Sequence, residues 1–314
     1  MKTVVAIGGN ALVSPRGTGD IHDQFARSRE VVKSLADLVE RGWQVTVTHG
    51  NGPQVGNIMR RVEISSGEVY PIDLGLAVAD TQAGMGYMIA QTWMNEMHRR
   101  RHDRIVVAVV SCVVVDHNDP AFARPTKPIG PFLSREDAER HRDRDGWTII
   151  EDSGRGWRRV VPSPKPIRII EMPVLKSLVE TGQLVVAGGG GGIPIIIDEK
   201  GEQQGVEAVI DKDLTSAMIA AEVGADVLSL VTAVEHVYIN FGRSDQEALR
   251  RVDVETLKGH IADRQFPEGS MLPKIRAAID FLERRGSKSA RAVITSLTQL
   301  PAALGGQTGT TITL

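Results

Sequence analysis

A single cysteine, Cys112, stands among 314 residues, so an intramolecular disulfide is excluded. It lies in the apolar run 106–115, where a buried, inert thiol is the expectation rather than a nucleophile. One cysteine also accords with a reducing compartment, and a cytoplasmic protein is expected. Aromatic residues make up only 4%, too few for a base-stacking platform. Neither charge sign prevails: 37 Lys and Arg against 39 Asp and Glu leave a formal net charge of −2, which speaks against a general nucleic-acid binder. No stretch approaches the roughly 20 apolar residues of a membrane span. The longest helical candidate, 74–97, is interrupted by Asp80, Gln82, Gln91 and Asn95. The apolar run after Lys2 stops at Gly8, too short for a signal-peptide core, and reads as a first strand.

Glycine, in contrast, is placed with purpose. Gly8-Gly9-Asn10 follows one apolar strand, Gly50-Asn51-Gly52 a second, and Gly188-Gly189-Gly190-Gly191-Gly192 a third. Glycine where a strand ends lets backbone N–H groups approach an anion, and a following helix adds partial positive charge. Three such turns suggest a protein that holds phosphate. None fits the P-loop pattern, and none fits the dinucleotide fingerprint with its downstream acid.

Apolar strands alternate with helical patterns, which predicts parallel βαβ units. Strands are expected at 3–7, 43–47, 105–110, 184–186, 226–231, 236–240, 291–294 and 309–313. Helices are expected at 22–40, 212–223, 253–261, 273–285 and 298–304. The stretch 117–166 is rich in Pro, Gly, Arg and Asp and is too long for a structureless loop, so a small protruding lid is expected there. The fold class that follows is α/β, with two lobes sharing one sheet: about 1–205 and about 206–314.

Two lysines sit against the grain of their helices. Asp211 is a good N-cap, and Lys212 occupies the first turn after it, where the helix dipole favours acids. Lys274 follows Ser270-Met271-Leu272-Pro273 at another helix start. For Lys212 alone, a solvated lysine balanced by Asp211 and Asp213 is an equal reading. Together, beside three glycine turns, they fit cations flanking a transferring phosphoryl group.

The motifs in order resemble the carbamate kinase family. They are Gly8-Gly9-Asn10, His49-Gly50-Asn51-Gly52-Pro53-Gln54-Val55-Gly56, Pro125-Thr126-Lys127-Pro128-Ile129-Gly130-Pro131, the stretch from Asp152 to Pro164, Gly205-Val206-Glu207-Ala208-Val209-Ile210-Asp211-Lys212-Asp213 and Gly269-Ser270-Met271-Leu272-Pro273-Lys274. The resemblance spans nearly the whole chain. It implies the amino-acid-kinase fold, a three-layer αβα sandwich around a mainly parallel sheet. It also implies ATP or ADP with Mg²⁺, a homodimer, and reversible transfer between carbamoyl phosphate and ADP to give ATP and carbamate.

Carried over, Gly8, Gly9, Gly50, Asn51 and Gly52 match turns that hold the carbamoyl and phosphoryl groups, with Asn10 at the first. Lys212 and Lys274 match the catalytic lysines, Asp213 the acid that organises them, and Lys127 a lid lysine that reaches the phosphoryl site. Gly188, Gly189 and Gly190 fall near the nucleotide phosphates, and Tyr238 and Met271 near the nucleoside. No metal ligand is assigned, because Mg²⁺ is expected through the nucleotide phosphates. Physiological direction, whether arginine or purine breakdown or carbamoyl phosphate synthesis, is set by concentrations rather than residues.

Phosphoryl transfer needs alignment and charge stabilisation, and carbamate is already an anion, so no general base is required. His49 is expected to orient its loop. Related kinases such as acetylglutamate kinase carry a lysine where Ala6 stands, which leaves Lys127 to supply that charge. Thr232-Ala233-Val234-Glu235 replaces the Thr-Asp-Val-Asp of many relatives. Arg155, Arg158 and Arg159 read as a solvated hairpin, Trp147 and Trp157 as lid packing, and the basic cluster 98–104 as a helix C-terminus. Two other functions stay open on these residues: another small-acid or phosphate kinase of this fold, and a nucleotide-binding regulator without turnover.

Overall fold

A computed structural model describes residues 1–12, 19–152, 154 and 156–314, with the side chain of Asn10 outside that description. The first half runs β1 (Lys2–Ile7), α1 (Ile21–Glu40), β2 (Gln44–His49), α2 (Gly52–Ile64), α3 (Leu74–Arg99) and β3 (Val106–Ala108). A middle portion follows: β4 (Cys112–Val114), α4 (Pro120–Ala123), β5 (Lys127–Leu133), α5 (Arg135–Asp145), β6 (Thr148–Glu151), β7 (Trp157–Val161) and β8 (Arg168–Ile169). Then come α6 (Met172–Glu180), β9 (Leu184–Val186), β10 (Ile193–Ile197), β11 (Gln203–Gly205) and α7 (Lys212–Glu222). The chain closes with β12 (Val227–Thr232), β13 (Val237–Ile239), β14 (Glu247–Leu249), β15 (Arg251–Asp253), α8 (Val254–Ala262), α9 (Met271–Arg285), β16 (Arg291–Ser296), α10 (Leu300–Leu304) and β17 (Thr310–Thr313).

Among the described residues, eight strands form one sheet in the order β15-β17-β16-β12-β1-β2-β9-β3. From β16 to β3 every pairing is parallel, while β17 runs antiparallel to β16. Side-chain alternation sends Val4 and Ala6 of β1 to one face and Val5 and Ile7 to the other. The first face packs on α6, α7 and α9 through residues such as Leu175, Ala217, Ile219, Ile275 and Phe281. The second packs on α1 and α3 through Val31, Leu35, Ile89 and the fully buried Trp93. Both faces are covered, so the central strands read as continuous apolar runs. The result is the expected α/β sandwich.

The strand expected at 105–110 is observed as the short β3, and a second strand, β4, follows it in the same apolar run. β3 ends at Ala108, and β4 joins a second sheet in the order β11-β10-β4-β8. The break has a hydrogen-bonding cause. Ser111 N–H donates to Gln82 Oε1 at 2.7 Å, and Cys112 N–H donates to Glu171 Oε2 at 2.8 Å, so side chains satisfy backbone groups that leave the first ladder.

Strands β5, β7 and β6 form an antiparallel sheet in that order. Trp147 stacks on His141, 4.2 Å away between ring centroids, and the Arg159 guanidinium lies 4.9 Å from the centre of its ring. This sheet touches the body at α2: a Cβ built on Gly56 would lie 2.8 Å from Gly130 Cα. Ser153 and Arg155 lie outside the described residues.

Candidate functional site

Parallel strands end on the same edge of a sheet, and in open α/β sheets that carboxyl edge is where ligands collect. Ile7 pairs with His49 across β1 and β2, so the Gly8-Gly9 and Gly50-Asn51 turns leave the sheet side by side. A Cβ on Gly50 would sit 2.6 Å from Gly9 N, so the two turns meet backbone to backbone and only glycine fits. Asn51 caps α2 without a side-chain hydrogen bond to the helix, so its first-turn N–H groups have no side-chain partner there. The Asn51 amide instead donates to Thr81 Oγ1 at 2.9 Å. The Asn10 side chain lies outside the described atoms, and its backbone belongs to the 3-10 turn Gly9–Leu12.

The third turn folds in behind these two. Gly188, Gly190, Gly191 and Gly192 have positive φ, and all five glycines are buried. A Cβ on Gly189 would lie 2.4 Å from His49 Nε2, and one on Gly190 would lie 2.1 Å from Asn51 Nδ2. At Gly189 and Gly190 the close neighbours are therefore side chains of the second turn, whereas a Cβ on Gly191 would meet Ile210 O at 2.3 Å and one on Gly192 would meet Val113 Cγ2 at 2.3 Å.

Helix α7 arrives at the same place. Thr215 Oγ1 donates to Gly191 O at 2.7 Å, and Ser216 Oγ donates to Lys212 O at 2.7 Å while meeting Thr48 Oγ1 at 2.6 Å. These contacts pin the first turn of α7 against the ends of β2 and β9. Lys212 Nζ bonds Asp213 Oδ1, and Lys274 Nζ, from the start of α9, bonds Asp213 Oδ2 at 2.9 Å. Lys127 Nζ, at the start of β5, bonds Asp211 Oδ2 at 2.8 Å. Three lysines thus face two carboxylates, leaving an excess positive charge beside glycine turns.

Burial pushes the Asp213 carboxyl up, but Lys212 and Lys274 overcome it and hold the group far below the usual carboxylate range. Burial lowers the Lys212 ammonium, with Asp213 opposing and Lys274 adding to the effect. His49 is lowered to about 4 by burial; its bond to Gly50 O works against this, and the Lys212 charge adds to it. His49 is therefore neutral at pH 7 and orients the turn, as its sequence setting suggests.

Met271 opens α9 one turn before Lys274. Tyr238 lies on β13, its ring 6.2 Å from His236 and 6.0 Å from Phe241. Glu235 accepts a hydrogen bond from Thr308. Ala6 is fully buried against the α7 side of the sheet. A cavity of about 460 Å³ lies apart from the glycine turns, between β7 and the 206–207 segment, with Trp147, Arg159, Val161 and Glu207 in its lining. Among the described residues no group of three or more His, Cys, Asp or Glu could hold a metal ion.

Several supporting residues escape sequence reading: Thr81, Ser111, Thr215 and Ser216. Their signal is a polar side chain on the buried face of an apolar helix or at a strand end, and Gln82 shares it. Cys112 is half-buried rather than fully buried as expected, and its thiol is pushed up to about 11 by that partial burial and the neighbouring Glu171 carboxylate.

The model of the amino acid kinase family matches residues 1–296. The carbamate kinase of Thermococcus kodakarensis is 45% identical over 99% of this chain and 98% of its own length. Carbamate kinase 1 of Staphylococcus epidermidis is 45% identical over 99% of both chains. A solved carbamate kinase from Giardia lamblia bound to AMP-PNP superposes with a TM-score of 0.91, at 35% identity over 99% of this chain and 98% of that one.

Proposed function

The chain belongs to the amino acid kinase family, and from that premise we propose that its reaction is the carbamate kinase reaction. The phosphoryl group of carbamoyl phosphate moves to the terminal phosphate of ADP. ATP forms, and carbamate leaves and decomposes to ammonia and carbon dioxide. The reaction is reversible.

One observation carries this reading: Asp213 holds Lys212 and Lys274 by its two carboxylate oxygens, beside turns whose backbones only glycine permits. A phosphoryl group in flight spreads negative charge over its oxygens, and preorganised cations and N–H donors stabilise it without reorganising. Asp213 stays ionised, so it fixes both ammonium groups as donors. Neutral His49 and the hydroxyls of Thr215 and Ser216 hold the scaffold around them.

Gly8, Gly9, Asn10, Gly50, Asn51 and Gly52 are proposed to take the carbamoyl and phosphoryl end. Gly188, Gly189 and Gly190 would lie toward the nucleotide phosphates, with Tyr238 and Met271 toward the nucleoside. The donor chemistry fits Mg²⁺ carried on the nucleotide phosphates, since Asp211 and Asp213 are already engaged by lysines. Bound there, Mg²⁺ would neutralise phosphate charge. The AMP-PNP held by the Giardia lamblia relative supports an adenine nucleotide.

Residues 117–166 act as a lid in this reading, Lys127 supplying the cation absent at Ala6. Residues 1–205 take carbamoyl phosphate, and 206–314 the nucleotide. Exposed Ile64, Val69, Tyr70 and Leu76, from the end of α2 to the start of α3, support a homodimer. A cytoplasmic location completes the reading.

The test is ATP formation from carbamoyl phosphate and ADP with Mg²⁺, for wild type, Lys212→Ala and Lys274→Ala. Robust turnover lost in both variants supports the proposal. No turnover in a folded wild type that binds ADP rejects it.

A further inference from the structure

We propose that Asp211 is a positioning residue that couples the lid to the phosphoryl site, by holding Lys127 with one carboxylate oxygen while capping the helix of Lys212 and Asp213 with the other. The inference deepens the proposed carbamate kinase reading and rests on it for its kinetic part. Asp211 Oδ2 accepts from Lys127 Nζ at 2.8 Å, and Asp211 Oδ1 accepts from Asp213 N–H at 2.9 Å. One planar carboxylate thus sets two directions at once. If it turns to follow Lys127, the cap of α7 turns with it, and Lys212 and Asp213 lie within that first turn.

The surrounding ties concentrate on the same strip of chain. Val209 N–H donates to Pro162 O at 3.0 Å, just past the end of β7. Glu207 accepts from Leu74 N–H at 2.7 Å at the start of α3, and its other oxygen faces the Arg159 guanidinium at 3.9 Å. The segment 205–213 is therefore the seat on which the β5-β7-β6 sheet rests, and it runs straight into α7. Asp211 is the contact in this seat nearest in sequence to the reacting lysines.

The charges around it alternate. Lys127 meets Asp211, and Lys212 and Lys274 meet Asp213. Lys127 is the most exposed of these lysines, its side chain 38% accessible against 10% for Lys212 and 14% for Lys274. A long exposed lysine without a partner spreads over many rotamers, whereas one held on Asp211 is kept near the place where an anionic substrate arrives.

Asp211→Asn separates the two roles, since asparagine caps helices as well as aspartate but carries no charge for Lys127. In ligand-free protein, amide exchange across residues 127–161 should quicken in Asp211→Asn and in Lys127→Ala. The double variant should be no faster than the quicker single variant. In turnover, Asp211→Asn should lower kcat/KM for carbamoyl phosphate about tenfold, the effect of one charge-assisted hydrogen bond, with little change in KM for ADP. In the Lys127→Ala background the same substitution should change it less than about twofold. Unaltered exchange in Asp211→Asn overturns the proposal whatever the enzyme's substrate, and so does an equal kinetic penalty in the Lys127→Ala background. A protein that fails to turn over carbamoyl phosphate yet shows the exchange pattern would reject the functional reading and keep the coupling.

Discussion

Lys274 Nζ reaches Asp213 Oδ2 at 2.9 Å across 61 residues of sequence, and Lys212 occupies the other oxygen of the same carboxylate. Asp213 is thus the joint between α7 and α9 at their N-terminal ends. Asp213→Asn keeps the shape but removes the charge that fixes two ammonium groups. Turnover should fall by about 10²–10³, the loss expected when preorganised donors are misplaced. Steady-state kinetics alongside ADP binding by calorimetry would check this. Wild-type turnover would show that the lysines need no such joint.

Acid should weaken the fold through His49. Its folded value of about 4 lies below the ordinary 6.5, so between those values the unfolded chain binds a proton that the folded chain refuses. Stability is then full above pH 6.5 and declines as pH falls toward 4, by about 3 kcal/mol for this one group. Urea unfolding midpoints across that interval would reveal the slope. His49→Gln should flatten it.

Gly190→Ala and Gly8→Ala make a matched pair. At Gly190 the backbone has φ +66°, and a new Cβ would fall 2.1 Å from the Asn51 amide nitrogen. The backbone conformation alone costs about 1–2 kcal/mol, and displacing Asn51 from Thr81 adds to it. At Gly8 a Cβ meets nothing within 4 Å, so stability should stay within about 0.5–1 kcal/mol. Thermal melts of the two variants decide this.

Cys112 should resist alkylation. With its thiol at about 11, only about one part in a thousand is thiolate at pH 8. Iodoacetamide labelling followed by mass spectrometry should be slow in native protein and fast in urea. Equal rates would show that the thiol is neither buried nor raised.

The α/β sandwich was legible because strands buried on both faces leave apolar runs, and α1 leaves a stripe of Val31, Val32, Leu35 and Leu38. Lys212 and Lys274 were legible because each opposes a helix dipole, a local conflict. The grip of Asp211 on Lys127 was not, because 84 residues separate them and neither looks unusual in its own neighbourhood. The separate strand at Cys112–Val114 was equally hidden, since Gln82 and Glu171 set the break before it from elsewhere in the chain. The glycine run after β9 announced a close approach, but only tertiary structure reveals that His49, Asn51, Ile210 and Val113 are what approaches.

The position of β1 bears on how the molecule is made. Its neighbours are β2, completed by His49, and β12, which begins at Val227. During synthesis the first strand therefore waits, with one hydrogen-bonding edge bare, until more than two-thirds of the chain has emerged. Contacts of such long sequence separation slow folding, and nascent chains stopped short of β12 present an open strand to one another.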